Sequence, residues 1–457
     1  MPPAALAADD LRASRYPTAC SRRRDRLSFF MEEVQSILSL LQDDDPVAAL
    51  VQLDHLQLSN ALQILPNVQD PQTALLVLRA RCHLCMGSVA AARRCYSAAC
   101  ARDAAMAVRV EMQQLHVLTE SWLDHPLRLR QLFPAPPRSA ALRSSHNAHV
   151  RRIDTTLRTA DDSAQLGASA FVPIASNSSL RALLLCFHGN GECADDYAQL
   201  SPRLHSLGLL PVVVEMRGYG RSTGEPALTA MLSDVEQFAT AGAWQDVSGL
   251  GALLIGLPPQ LPMLIFGRSI GGHLAIHLTA SLLVHCTRAQ HSACTSAQLL
   301  SPSTRVPSSS HNLNNSVLAS YRMAGLPSLK GLLLDSTVAS VRHWGSSLVD
   351  DDGGESAGRP AVPGGLRTVG LLENQGKMRA IGRTALPVLL LHGAQDSIVP
   401  RFQIELLQRC CPHARVTLLD GRGHNDLGCD PLYWEALEKL ANDAVRSEHE
   451  VKGQRAE

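Results

Sequence analysis

The 457-residue chain has no excess charge of either sign: 42 lysines and arginines balance 42 aspartates and glutamates, for a formal net charge of +0. That balance removes the global electrostatic argument for nucleic acid or for a strongly acidic partner. Lysine is scarce as well, with only Lys330, Lys377, Lys439 and Lys452, and the arginine bias is read as base composition rather than as anion recognition. No apolar run qualifies as a membrane span. The uncharged stretch from Ser248 to Gly267 is broken by Pro258, Pro259 and Pro262 and reads as a helix end, a turn and a core strand. The first residues lack the apolar core of a secretory signal, and Asp9, Asp10 and Asp25 argue against an import peptide. Twelve cysteines are scattered without a paired framework, which predicts free thiols in a reducing, cytoplasmic setting.

What is present divides the chain. Residues 1–26 read as a disordered tail, 27–125 as a helical region, 126–150 as a linker dense in proline and arginine, 151–445 as an α/β domain and 446–457 as a second tail. In the helical region, Phe29, Phe30, Val34, Ile37, Leu38 and Leu41 mark one face of a first helix, ended by Asp43-Asp44-Asp45-Pro46. Leu76, Ala80, Gly87, Ala92, Tyr96, Ala99 and Asp103 fall at the small, aromatic and turn positions of the roughly 34-residue tetratricopeptide repeat. Ala61 to Asn67 resembles the end of an earlier unit. The resemblance implies a degenerate tetratricopeptide-like region that binds a protein partner or packs on the domain that follows. Cys82 and Cys85 have C-x-x-C spacing, with Cys95 and Cys100 nearby. On helices without knuckle glycines they read as buried thiols, and no metal or cofactor is expected.

The α/β domain opens with two antiparallel strands, Ile153 to Leu157 and Leu166 to Pro173, with Asp161-Asp162 in the turn. Strand and helix patterns then alternate, which predicts a mostly parallel sheet. Its buried strands are Leu183 to Phe187, Pro211 to Met216, Met263 to Phe266, Gly331 to Leu334, Val388 to Leu391 and Arg415 to Leu419. Two insertions interrupt the alternation. Residues 286–329, rich in Ser, His and Asn, read as a surface loop, and 346–367, with Asp350-Asp351-Asp352-Gly353-Gly354, as a loop or lid above the site.

The chemistry collects at strand ends. Gly267-Arg268-Ser269-Ile270-Gly271 is a G-x-S-x-G elbow between a strand and a helix, which exposes the Ser269 hydroxyl as a nucleophile. The Ile270 amide lies at a helix N-terminus and the Asn190 amide in His188-Gly189-Asn190-Gly191-Glu192; both are candidate oxyanion donors. His188 is expected to brace that loop. Asp396 follows the next-to-last strand and His424 the last, so the chain order is Ser269, Asp396, His424. His424 would take the serine proton and Asp396 would orient the imidazole. Asp335, at the end of another strand, is the alternative acid, although Ser336-Thr337 suggests that it caps a helix.

Five blocks in order carry a resemblance: H-G-N-G-E at 188–192, R-G-Y-G-R-S-T-G-E-P at 217–226, G-R-S-I-G-G at 267–272, H-G-A-Q-D at 392–396 and G-H-N-D at 423–426. Residues 151–445 resemble the α/β-hydrolase superfamily, in the serine aminopeptidase-like branch with monoglyceride lipases and α/β-hydrolase-domain depalmitoylases. The resemblance implies an α/β-hydrolase fold and a cofactor-free serine hydrolase with Ser269, Asp396 and His424 as its triad. It also implies Asn190 and Ile270 as oxyanion donors and a structural role for Arg217 to Pro226. The expected substrate is a small-molecule or lipid-like acyl ester or thioester. An amide, or a quiet hydrolase-fold scaffold serving the helical region, is the alternative. The cysteine cluster that anchors the depalmitoylases to membranes is missing; only Cys20 lies near the start.

Overall fold

The computed structural model describes residues 32–43, 45–58, 71–103, 149–174, 180–245, 250–255, 261–300, 326–340 and 373–453. Strands β1 (Val150–Arg158) and β2 (Gln165–Pro173) form an antiparallel hairpin, with Asp162 at φ 54 in its turn. They lead into β3 (Ala182–Phe187), β4 (Leu209–Val214), β5 (Met263–Arg268), β6 (Leu329–Asp335), β7 (Val388–Gly393) and β8 (Arg415–Leu419). The sheet order is β1-β2-β4-β3-β5-β6-β7-β8, antiparallel as far as β4 and parallel from there. The parallel strands are near-continuous apolar runs because helices cover both faces. After β3 the chain moves first to β4 on one side and then to β5 on the other. The crevice outside the carboxyl ends of β3 and β5 is therefore the switch point where open α/β sheets bind ligands.

Strand periodicity sorts the core. Leu184, Cys186, Leu264, Phe266, Leu389 and Leu391 point to one face, against α4 (Ala194–Ser206) and α11 (Pro431–Gly453). Leu183, Leu185, Met263, Ile265, Leu332 and Leu390 point to the other. That second face packs on α5 (Leu228–Glu236), α8 (Gly271–Leu300), α9 (Gln375–Gly382) and α10 (Phe402–Cys410). The short helices α6 (Ala241–Gln245) and α7 (Leu250–Leu253) lie between α5 and β5 in the chain.

The N-terminal helices add a layer outside α8. They comprise a helical segment over 32–42, α1 (Pro46–Leu58), α2 (Pro71–Met86) and α3 (Val89–Arg102). Gly87 turns α2 into α3 at φ 85, a left-handed value that suits glycine. Ala80, Ala92, Ala99 and Tyr96 are buried along the hairpin; Ala80, Ala92 and Tyr96 join the core cluster of the sheet's α8 side. Ile37, Leu50 and Leu53 pack with Ala280 and Val284 of α8. Polar bonds fix the register: the Ser88 hydroxyl donates to Glu236, and Arg383 pairs with Asp45 at 2.5 Å. Burying each leucine here contributes about 1.5–3 kcal/mol. Among the described residues no helix is long and apolar enough to cross a membrane.

Three expectations need correction. The segment 286–329 is not all surface loop: α8 continues to Leu300, because no proline or glycine interrupts 286–300 before Pro302. The tail expected at 446–457 is helical to Gly453, an extension of α11 whose sequence likewise carries no breaker before that glycine. Asp335 caps no described helix; residues 336–340 are irregular apart from a bridge between Ser340 and Glu373, and a buried tyrosine takes up its carboxylate instead. The expected tail at 1–26, the Ala61 to Asn67 unit, most of the linker at 126–150 and the segment 346–367 lie outside the described residues.

Candidate active site

Ser269 follows β5 directly and has φ 52, a left-handed conformation that is strained for a residue with a side chain. The flanking glycines explain how the turn is accommodated. A Cβ at Gly267 would lie 2.6 Å from the Gly271 carbonyl oxygen, and one at Gly271 would lie 2.2 Å from the Phe187 carbonyl oxygen. The elbow is also anchored laterally, since the Ser269 amide donates to the Asp335 carbonyl at 2.8 Å. Ile270 immediately precedes the 30-residue helix α8, so its amide lies at the positive end of the helix dipole.

The loop after β3 carries Asn190, which is exposed. His188 is fully buried. Its Nδ1 donates to the Gly189 carbonyl at 2.9 Å and its Nε2 accepts from the Met216 amide at 3.0 Å. Burial pushes this imidazole down to about 4, so it is neutral and braces the loop, as expected from sequence. Tyr219 extends the brace: it lies 5.2 Å from the His188 ring, and its hydroxyl donates to Asn190 Oδ1 at 2.6 Å. The Tyr219 loop is pinned by Arg217, which pairs with Asp234 through two bonds of 3.0 and 2.6 Å. Glu215 also holds it, accepting from the amides of Ala194 and Arg221 at 3.0 and 2.8 Å.

On the other side, His424 Nδ1 donates to Asp396 Oδ2 at 2.7 Å, leaving Nε2 to accept a proton. Asp396 Oδ1 takes the amides of Ile398 and Val399 at 2.9 and 2.8 Å. Burial alone would raise this carboxyl. The His424 bond and the two amides outweigh it and hold Asp396 below the usual carboxylate range. Asp335 behaves oppositely. Its side chain is buried, Oδ2 accepts from the Tyr433 hydroxyl at 3.2 Å, and among the described residues Oδ1 has no hydrogen-bond partner within bonding geometry. Burial raises this carboxyl despite Arg268 and His424 nearby.

Each candidate thus lies at or just past the carboxyl end of a strand: Asn190 and Ser269 after β3 and β5, Asp335 at the end of β6, Asp396 and His424 after β7 and β8. Arg268 connects two of the loops directly, donating to the His424 carbonyl at 3.0 Å from the position just before Ser269. Sequence reasoning gave no role to Arg268 or Glu192, and placed Tyr219 only within the structural loop Arg217 to Pro226. Arg268 and Glu192 were visible as opposite charges just after two predicted strands, but only the register that pairs Phe187 with Gly267 shows those strands to be neighbours. For Tyr219 the loop alone did not show that its hydroxyl reaches Asn190.

Comparison with known proteins places the chain in a family. Residues 178–428, more than half of the chain, match the family model described as serine aminopeptidase, S33. The monoglyceride lipase of Rattus norvegicus is 25% identical over 238 residues, 52% of this chain and 73% of that protein. The monoacylglycerol lipase of Mycolicibacterium smegmatis is 30% identical over 92 residues, 20% of this chain and 30% of that enzyme. Among solved structures, the esterase Pf2001 of Pyrococcus furiosus aligns with TM-score 0.41 and 13% identity, covering 68% of this chain and 97% of that one. An eight-stranded sheet of this order, an elbow serine at its switch point and a family match over that region lead to one conclusion: the chain belongs to the serine aminopeptidase S33 family and is an α/β-hydrolase.

Proposed function

We propose that the protein is a serine esterase that cleaves a carboxylic ester, of lipid-like acyl character, through an acyl-enzyme. The observation that carries the proposal is the 2.7 Å bond from His424 Nδ1 to Asp396 in a loop tied by Arg268 to the elbow of Ser269. In the proposed cycle Ser269 Oγ attacks the acyl carbon while its proton passes to His424 Nε2. Asp396 stabilises the imidazolium, and the amides of Asn190 and Ile270 receive the negative oxygen. The bond from the acyl carbon to the leaving oxygen then breaks, and that oxygen takes the proton from His424. Water activated by His424 attacks the acyl-enzyme, returning Ser269 and releasing the acid.

The names of the two lipases support a glycerol-ester-like substrate. A thioester would use the same steps with sulfur leaving. A panel of p-nitrophenyl esters, monoacylglycerols and acyl thioesters of graded chain length tests the class. Turnover of esters by the wild type, lost in Ser269→Ala, is the expected result. Equal turnover by the two proteins contradicts the proposal, and a preference for thioesters corrects the leaving group.

A further inference from the structure

Of the three parts of the proposed machinery, two sit on loops of paired strands, β3 and β5, and the third lies across the sheet from them. The oxyanion loop leaves β3, the elbow leaves β5, and the histidine loop leaves β8, which is separated from β5 by β6 and β7. One side chain touches all three. Arg268 is the last residue of β5. Its Nη2 donates to the His424 carbonyl and to Asn425 Oδ1, both at 3.0 Å. Its Nη1 pairs with Glu192 Oε1, and Glu192 Oε2 accepts from the Gly189 amide at 2.8 Å. The chain of bonds runs from the backbone of His424, through the guanidinium beside Ser269, to the backbone next to Asn190. The two charged side chains are only 17% and 20% exposed, which shields the pair from screening by water. A planar guanidinium suits this task because its donors hold fixed directions; an ammonium offers a single point charge.

We infer that Arg268 and Glu192 form a positioning clasp that sets the spacing between the oxyanion donor of the first loop, the elbow serine and the histidine. The inference rests on the serine-hydrolase function proposed above. Neither side chain touches the reacting atoms. The clasp acts by holding Asn190 and His424 in place, so its loss raises the barrier and leaves substrate affinity nearly unchanged.

The test measures kcat and KM on a chromogenic ester, the rate of fluorophosphonate labelling and the melting temperature for wild type, Arg268→Gln, Arg268→Lys, Glu192→Gln and the double glutamine variant. A displacement of about 1 Å costs on the order of 100-fold. Arg268→Gln is therefore expected to lower kcat and the labelling rate about 100-fold with KM within about threefold. Glu192→Gln, which leaves Arg268 its bonds to His424 and Asn425, should lose about tenfold, and Arg268→Lys should recover part of the loss. The double variant should be no worse than Arg268→Gln, because the two residues act as one unit.

Folded Arg268→Gln with kcat within about twofold of wild type overturns the clasp, as do single losses that simply multiply in the double variant. If Arg268→Gln does not fold, Glu192→Gln decides alone, and unchanged kcat in it overturns the clasp. Equal labelling of wild type and Ser269→Ala instead defeats the hydrolase function, an outcome distinct from full turnover in a normally labelled Arg268→Gln.

Discussion

Two neighbouring strand ends each present an aspartate near His424, and they are built in opposite ways. At the end of β7, Asp396 receives three donors: the imidazole and the amides of Ile398 and Val399. At the end of β6, Asp335 receives the Tyr433 hydroxyl on one oxygen and, among the described residues, no well-formed bond on the other. Both side chains are screened from water, so burial penalises both charges. The number of donors decides the outcome, lowering one carboxyl and raising the other. A carboxylate able to stabilise an imidazolium must stay ionised, and only the β7 site is arranged for that. The backbone of Asp335, by contrast, does structural work: its carbonyl holds the Ser269 amide.

Substitution is the strongest way to break this contrast. Asp396→Asn keeps the size of the side chain but favours the wrong tautomer of His424. It should lower kcat by on the order of 10⁴-fold, the scale found when a triad acid is neutralised, with KM little changed in steady-state assays. Next in size is Tyr219→Phe. It removes one hydroxyl from Asn190 Oδ1 and should lower kcat by about fivefold to tenfold, reflecting a bond worth about 1 kcal/mol. Asp335→Asn should leave kcat within about threefold, since an amide oxygen can still accept from Tyr433. The contrast fails if Asp335→Asn is the more damaging of the two aspartate changes.

Acid titration of stability sharpens the same contrast because the two signs are opposite. Asp396 has a folded value below its unfolded one. It stabilises the fold above about pH 4, and this contribution is lost as pH falls further through the folded value. Asp335 has a folded value above its unfolded one, so its charge costs stability near neutral pH and the cost is relieved on acidification. Asp335→Asn should therefore raise the melting temperature at pH 7 by a few degrees and remove that relief. His188 and His273, pushed by burial to about 4 and about 3, add a background. The unfolded chain protonates them first, so each lowers stability by roughly 1.4 kcal/mol per pH unit as pH falls below about 6.5. Calorimetric melts of the wild type between pH 7 and 5 should show this decline; a melting temperature that stays constant contradicts the buried neutral imidazoles.

The contrast between the aspartates also separates what the sequence could place from what it could not. Ser269, Asp396 and His424 could be placed because each follows an apolar run that can only be a buried strand, and strand ends in such sheets converge. The strand that each carboxylate follows ranked Asp396 above Asp335, but the difference in their donors needed the loop conformation of Ile398 and Val399. Glu192 and Arg268 were visible as motif letters. Their pairing depends on β3 and β5 being neighbours, which pattern within a segment does not report. Helix ends were misjudged at Leu300 and Gly453 because composition suggested loops where no residue actually breaks a helix. The packing of the Ala80, Ala92 and Tyr96 face against the hydrolase was one of the two readings the sequence left open, since small residues show close approach without naming the surface approached.

The most direct measurement is the site of covalent modification. Wild-type protein reacted with a fluorophosphonate, digested and sequenced by mass spectrometry should carry the adduct on Ser269, with labelling slowed strongly in Asp396→Asn and little in Asp335→Asn. An adduct on another residue, or labelling that persists undiminished in Ser269→Ala, would contradict the account.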